Sequence, residues 1–177
     1  MKKIIFMFAL IFICANAFAG DGNKIKVISG DKNLLNDVAT ALFVIDYDGT
    51  RWEEDDDYKD WCGKDYDERV KISVEAFKSS FNSVSNGLKI TENDDAKYKI
   101  VFKISNLEQH QGFKAAWGQQ YMAISGTISI IEISSNKTVC CFEVLKLKGT
   151  VDYAVSDRIK KAFSNVPTVL FDSKKVK

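Results

Sequence analysis

The sequence has one histidine, one proline and no excess of either charge, with 25 basic and 24 acidic residues. A lone histidine, His110, without a C-x-x-C spacing gives no zinc-binding pattern. The balanced charge argues against a nucleic-acid-binding protein and against a polybasic membrane-surface protein. Beyond residue 19, no apolar run is long enough to span a bilayer. What is present, 46% hydrophobic and 12% aromatic residues, indicates a globular chain.

Residues 1–19 have the organisation of a secretion signal. Lys2 and Lys3 give a positive start, and the apolar stretch Ile4–Ile13 is shorter than the about 18 residues that a membrane span needs. Ala17-Phe18-Ala19 then supplies the small-x-small pattern after which signal peptidase cleaves. We therefore expect a signal peptide over residues 1–19, a mature chain of residues 20–177, and a periplasmic or secreted location.

The four cysteines allow a disulfide. Cys14 would be removed with the signal, and the bulky Ile13 before it argues against a lipid anchor there. Cys62, Cys140 and Cys141 remain, and an odd number in an oxidising compartment permits one disulfide and one free thiol. Cys140 and Cys141 are neighbours on a predicted strand and face opposite sides, so only one of them can easily pair with Cys62. The alternative, that all three are small buried apolar residues, stays open.

The hydrophobic periodicity predicts five strands and two helices in the order β-β-α-β-β-β-α. The strands are Lys24–Ser29, Val38–Tyr47, Lys97–Ser105, Tyr121–Ser134 and Thr138–Val151; the helices run from Asp65 to Asn86-Gly87 and from about Ser156. The first helix is long enough to be a crossover, so the strands on either side of it should be parallel neighbours. The sequence thus predicts a single α+β domain, a mixed and mostly antiparallel sheet with two helices packed on one face.

Three details refine this prediction. The strand Val38–Tyr47 is apolar on both sides, which is typical of a strand in the middle of a sheet. Asp65 followed by Glu68 has the spacing of a capping box at the start of the first helix. The apolar alternation slips at Ile130-Ile131 and at Val144-Leu145, which predicts a paired bulge or a bend in the last two strands.

The segment from Phe43 to Thr50 resembles the first motif of the haloacid dehalogenase superfamily, a hydrophobic strand that ends in D-x-D-G-T. The resemblance implies a magnesium-dependent phosphatase in which Asp46 is the nucleophile and Asp48 the general acid, both holding the metal. The further β-α units of that family are not predicted here, and a turn after a strand also explains these residues. Asp46, Asp48 and Asp55 would alternatively suit calcium, which prefers oxygen ligands. Our main prediction is a non-enzymatic protein without cofactor or metal.

Large aromatic residues concentrate in two long connections, Arg51–Lys64 and Phe113–Tyr121. Aromatic side chains on loops can form a platform that binds a sugar or a peptide, because flat amphipathic rings give contact area at low entropic cost. The alternative is that they complete the core. The predicted binding residues are Trp52, Tyr58, Trp61, Trp117 and Tyr121. His110 is predicted to be an exposed loop residue.

One further pattern runs along most of the predicted mature chain and consists of core and turn positions. Its residues are Gly30, Leu34-Leu35, Asp46-Tyr47, Trp61, Phe77, Phe81-Asn82, Ser125-Gly126-Thr127-Ile128, Gly149, Arg158-Ile159 and Ala162-Phe163. The pattern resembles small exported proteins of unknown function that are common in Bacteroidetes-type bacteria. The resemblance implies an envelope location and brings no activity with it. The predicted function is an exported, non-catalytic module that binds a protein or glycan partner in the cell envelope.

Overall fold

The computed structural model of the chain describes residues 24–53, 55–111, 120–172 and 176. Its strands are β1 (Lys24–Gly30), β2 (Thr40–Asp46), β3 (Arg51–Trp52), β4 (Asp56–Asp57), β5 (Lys89–Ile90), β6 (Tyr98–Gln111), β7 (Gln120–Glu132) and β8 (Lys137–Lys148). Its α-helices are α1 (Tyr58–Cys62), α2 (Tyr66–Val84) and α3 (Val155–Leu170). The predicted signal, residues 1–19, lies outside the described residues.

All strands belong to one mixed sheet, which has the order β1-β8-β7-β6-β2-β5. β2 and β6 are parallel and lie on either side of α2 in the sequence, whereas β6, β7, β8 and β1 are antiparallel to their neighbours in this series. The predicted α+β fold is therefore confirmed. The sequence prediction missed the shortest elements, α1 and the strands β3 to β5, because two to five residues are too few to show a periodicity.

The two long helices pack on one face of this sheet. Phe102 of β6 contacts both of them, with ring centroids 5.7 Å from Phe77 of α2 and 6.1 Å from Phe163 of α3. Phe43 of β2 stacks on Phe77 at 4.3 Å. Within the part of the chain that the structure describes, no helix is long and apolar enough to cross a bilayer.

β2 does not lie in the middle of the sheet, which corrects the prediction for Val38–Tyr47. Its outer neighbour β5 pairs only with Thr40 and Ala41, so the rest of β2 has β6 on one side alone. The helices cover only one face of β2, and Val44 on the other face is 40% exposed. Because Val44 is apolar although it lies on the uncovered face, the sequence pattern of β2 resembled that of a strand buried on both faces.

The predicted irregularity of the last two strands is confirmed. The pairing of β7 with β8 shifts register between Ile130 and Ile131, and again where Gly126 pairs with Val144. At the second shift, Leu145 and Lys146 stand opposite the single residue Ser125. The Ser125 hydroxyl accepts a hydrogen bond of 3.1 Å from the Lys146 backbone N–H, and Lys146 has a positive φ of 41°.

Another bulge lies in β6, across β7 from Leu145 and Lys146. The pairing of β6 with β7 shifts between Ile104 and Asn106, so Ser105 is the extra residue of β6. Bulges bend the strand that carries them and increase its twist. We call this zone, Ser105 in β6 and Leu145-Lys146 in β8, the bulge line, since it divides the sheet into two halves.

The start of α2 differs from the predicted capping box. Asp65 precedes the helix, but its carboxylate makes no capping hydrogen bond and instead pairs with Arg69 at 3.2 Å. A 3-10 turn, Gly63–Asp65, leads directly from α1 into α2. The chain therefore enters α2 directly from α1, and the Asp65 carboxylate contacts Arg69 instead of capping the helix.

Gly149, directly after β8, touches the backbone of α3. A Cβ atom added at this position would lie 2.6 Å from the Ala162 nitrogen and 2.8 Å from its Cα. We expect Gly149→Ala to lower the free energy of unfolding by about 1–3 kcal/mol, because the helix must move away from the strand. Urea denaturation of this variant and of Ser83→Ala, on the exposed side of α2, tests the prediction. Equal stability of the two variants would contradict it.

Candidate functional site

The sheet face opposite the long helices is the surface on which the structure places most of its polar strand side chains; we call it the open face. Side chains alternate between the two faces along each strand. Beyond the bulge line, Leu107 and Ile124 point to the helices and are fully buried, so their neighbours Glu108 and Ala123 lie on the open face. The chemistry of this half centres on Glu108.

Glu108 is a buried carboxylate, and its side chain is only 9% exposed. One oxygen, Oε1, accepts a hydrogen bond from Asn106 Nδ2 at 2.9 Å and pairs with Lys146 Nζ at 3.2 Å. The other, Oε2, is 2.8 Å from His110 Nε2. Burial alone would raise the pKa of Glu108, but the hydrogen bonds from His110 and Lys146 hold it below its ordinary value. Glu108 is therefore an ionised anchor that fixes three neighbours.

Tyr121 lies beside this anchor, and its ring contacts both His110 and a second lysine, Lys148. Its ring stacks on the directly opposite His110 with centroids 5.3 Å apart and planes at 27°. Lys148 Nζ lies 5.2 Å from the centroid of the same ring. Since His110 is on β6 and Lys148 on β8, the two neighbouring strands bring them to the ring from opposite sides. We call Glu108, His110, Tyr121, Lys146 and Lys148 the cationic patch.

The cationic patch presents groups that can bind an anion. Lys146 and His110 contact the Glu108 carboxylate, Lys148 lies at the Tyr121 ring, and the Lys146 side chain is 54% exposed. Among the described residues, no hydrogen bond links His110 to a serine, threonine or cysteine, as nucleophile activation by a histidine would need. The arrangement presents hydrogen-bond donors and positive charge in fixed positions, which favours an anionic group.

His110 does not lie in the loop that was predicted for it. It lies in β6, not in a loop, and its side chain is 41% exposed. The prediction ended this strand at Ser105, whereas β6 continues to Gln111. Since Ser105 is the extra residue of a bulge, the alternation continues beyond it with its phase shifted by one, and the polar run that follows reads as a loop. A search for that shifted alternation would have placed Glu108 and His110 on one face.

Three of the predicted binding residues, Trp52, Tyr58 and Trp61, pack together with Tyr47 and Tyr66 in a cluster that we call the aromatic cluster. Trp52 and Trp61 stack with centroids 3.6 Å apart, and Tyr47 and Tyr58 stack at 5.3 Å. The Arg69 guanidinium lies 4.4 Å from the Trp61 ring. Trp52 is 5% exposed and Tyr58 1% exposed, so both belong to the core.

This geometry corrects the predicted platform. Trp52 and Tyr58 cannot offer a face to a ligand because they are buried, and Trp61 is covered by Trp52 and Arg69. Tyr121 is not part of the cluster and lies in the cationic patch. Trp117 lies outside the described residues. The aromatic residues of the first connection close the core at the end of β2, because α1 is too short to do so alone.

The aromatic cluster also carries two buried hydroxyl groups. Those of Tyr47 and Tyr58 make no well-formed hydrogen bond among the described residues, although Ser73 and Cys62 lie beside them. Burial raises the pKa of both tyrosines far above the ordinary value. These hydroxyls therefore stay protonated and do not act as bases.

Asp46 and Asp48 form a turn at the end of β2. The Asp46 Oδ1 accepts a hydrogen bond of 2.9 Å from the Asp48 backbone N–H, and its Oδ2 lies 3.8 Å from Lys103 Nζ. The strands that follow β6 are antiparallel hairpins and not further β-α units. Within the described residues no three acidic, histidine or cysteine side chains are grouped to hold a metal ion, so Asp46, Asp48 and Asp55 are not assembled into a site.

The three described cysteines are all free, which corrects the suggested disulfide. Cys62 is buried in α1, 3.6 Å from an Arg69 nitrogen. Cys140 faces the helices from β8, where its Cα partners are Gly30 and Ile130. Burial raises the pKa of the Cys140 thiol to about 11, and it also raises that of Cys62. The two thiols belong to separate parts of the core, as the alternative interpretation expected.

No family model matches the chain, and no curated protein is significantly similar to it in sequence. Among solved structures, it is similar to a PelC dodecamer from Paraburkholderia phytofirmans, with 12% identity, 81% of this chain and 96% of that chain covered, and a TM-score of 0.45. It is also similar to a DUF330 protein from Xanthomonas campestris, with 12% identity, coverage of 78% and 84%, and a TM-score of 0.41.

A third similar structure is a protein from Helicobacter pylori described as a homolog of neuraminyllactose-binding hemagglutinin. It has 13% identity, coverage of 81% of this chain and 86% of that chain, and a TM-score of 0.41. At such low identity the similarity concerns the fold and not the ligand.

Replacing Trp52 tests whether the aromatic cluster is core. We expect Trp52→Ala to destabilise the protein by about 3–5 kcal/mol, because it leaves a cavity where two ring contacts are made. Tyr153→Ala is the matched control, since Tyr153 is 59% exposed. Thermal unfolding followed by circular dichroism measures both, and a Trp52→Ala protein as stable as the control would contradict the assignment.

The pH dependence of stability tests the anchoring role of Glu108. Because its folded pKa is lowered, Glu108 stabilises the fold above the ordinary pKa of about 4.3, and this contribution disappears as the pH falls through the lowered value. We expect Glu108→Gln to cost about 1–3 kcal/mol at pH 7 and progressively less below pH about 4. Urea denaturation between these pH values is the measurement. Glu75→Gln, at a 67% exposed carboxylate, should show no such difference.

Proposed function

We propose that the protein is an exported, non-catalytic module of the cell envelope that binds an anionic group of a protein or glycan partner. The observation that carries this proposal is the buried carboxylate of Glu108, which orients His110 and Lys146 beside the Tyr121 ring. A buried and fully paired charge is costly to arrange, and it fixes the surrounding donors in place before a ligand arrives.

The arrangement fits a carboxylate or a similar oxyanion. Lys146 uses one of its three donor directions on Glu108 and extends, half-exposed, from the sheet. Lys148 adds a second ammonium group on the far side of the Tyr121 ring. A ligand that carries negative charge would be attracted by both ammonium groups.

The location belongs to the same proposal. It is supported by the organisation of residues 1–19, which has the charged start, the short apolar stretch and the cleavage pattern of a secretion signal.

Two lysines away from the open face provide control positions for a test of this proposal. Lys71 is exposed on α2, and Lys64 is exposed just before that helix.

Charge reversal of the two lysines tests this function. We expect the Lys146→Glu/Lys148→Glu protein to bind anionic polymers at least about tenfold more weakly, because two attractive charges become repulsive. Poly-L-glutamate represents an acidic protein segment and polygalacturonate an acidic glycan; isothermal titration at low and high salt measures the affinity. The Lys64→Glu/Lys71→Glu protein is the control.

Three results bear on the proposal. Selective loss in the patch variant supports it, and the preferred polymer identifies the class of partner. Absence of binding by the unmodified protein to both polymers would refute it. Equal loss in the patch variant and in the control would refute it too, since the attraction would then be a property of total charge.

A further inference from the structure

The bulge line divides the open face into two halves. On the half that carries Lys103 and Thr127, which we describe as lying before the line, one row of side chains crosses the five long strands of the sheet. The Cα partners are Asp46 with Lys103, Lys103 with Thr127, Thr127 with Glu143, and Glu143 with Lys26. The charges along the row therefore read negative, positive, neutral, negative, positive. We call these five residues the charged row.

The charged row is antisymmetric about its centre. β7, which carries Thr127, is the middle one of the five strands in the order β1-β8-β7-β6-β2. A twofold axis along β7 would place β8 of a second copy over β6, and β1 of that copy over β2. Lys103 would then face Glu143 of the second copy, and Asp46 would face its Lys26. Each charge meets its opposite, and Thr127 meets itself.

We infer that this half of the open face is the docking site for a second copy of the chain. A twofold interface uses the same patch on both subunits and requires that patch to be self-complementary, which the charged row is. Sheets that pack face to face lie about 10 Å apart with their strands nearly aligned. Lysine and glutamate side chains from both sides can meet across such a gap.

The row next to the charged row adds apolar contact. Val44 and Val101 are Cα partners there, and Val44 is 40% exposed. The same axis would place Val101 over Cys141 of the second copy and Ser129 over itself. Dimer formation would therefore remove an exposed valine from water, which is favourable.

The size of the patch sets the expected strength. Five strands about 4.8 Å apart and three rows about 7 Å apart, the third being the row of Leu42 and Lys99, cover on the order of 500 Å² per copy. Standard stable interfaces bury about 800 Å² per partner, so the dimer should be weak and depend on concentration. Exposed ion pairs also weaken with salt, and added salt should therefore shift the equilibrium toward the monomer.

The inference is independent of the proposed function. The charged row lies before the bulge line and the cationic patch beyond it. The Lys146→Glu/Lys148→Glu protein should therefore lose affinity for anionic polymers while its dimerisation stays unchanged. If the protein does not bind anionic polymers, its dimerisation can still be tested, and the reverse also holds.

Sedimentation equilibrium of the protein, purified after expression of the full-length chain, measures the dimer dissociation constant. We expect Glu143→Lys and Lys103→Glu each to raise this constant at least about tenfold, because each puts like charges across the interface twice. Glu75→Lys, the same charge change on the helix side of the sheet, should leave it unchanged. Circular dichroism of every variant establishes that it is folded.

The double variant Lys103→Glu/Glu143→Lys is the decisive protein. Within one copy it places like charges beside each other, at positions 103 and 46 and at positions 143 and 26. Across the twofold axis, however, every charge again faces its opposite. Recovery of dimerisation in the double variant would therefore come from the contact between copies and could not come from repair within one copy.

A cross-link gives a second, charge-independent measurement. With the partly exposed Cys141 replaced by serine, Thr127→Cys should react with a short bismaleimide to form a covalent dimer, since position 127 faces itself; Ser79→Cys on exposed α2 in the same Cys141→Ser background should not. The inference is overturned if the unmodified protein stays monomeric at millimolar concentration and low salt. It is equally overturned if the single reversals leave the dimer intact, or if the double variant fails to restore it while folded.

Discussion

The structure depends on a single constraint, the packing of both long helices on the same face of one sheet. Phe102 shows this directly, because its ring lies between Phe77 of α2 and Phe163 of α3. Burial on that side supplies the hydrophobic free energy of folding. The opposite face has no described helix to cover it, and its side chains are free to be polar. Everything that we propose for function lies on that face.

The two bulges decide which residues reach the open face. Ser105 in β6 and Leu145-Lys146 in β8 shift the alternation by one residue on both sides of Ser125. Without the shift in β6, Leu107 would point to water and Glu108 to the core. Bulges are commonly found where a sheet re-aims a side chain near a functional position, and this pair directs Glu108 and Lys146 toward each other.

The sequence predicted the architecture well because strong periodicity and one-sided burial have clear signatures. The parallel pairing of β2 with β6 followed from the length of the helix between them, and both register slips of β7 and β8 followed from the alternation of apolar residues. The position of β2 was wrong because Val44 is apolar on an uncovered face. The site was mostly missed, since Glu108 and Lys146 are brought together by pairing through β7 and are distant in sequence. Trp52 and Tyr58 failed as binding residues because an aromatic residue in a connection does not reveal whether a short helix buries it.

A balanced total charge conceals two different local arrangements on the open face. Before the bulge line, the charged row alternates in sign, so its field cancels over a few ångströms and only a surface with the matching alternation gains from contact. Beyond the line, Lys146 and Lys148 outnumber Glu108, and this excess extends its attraction to any anionic group. In our two proposals, the first arrangement selects one partner by pattern and the second selects a class of partner by sign. A near-neutral total charge is therefore compatible with electrostatic recognition, because recognition depends on where the charges stand along the strands.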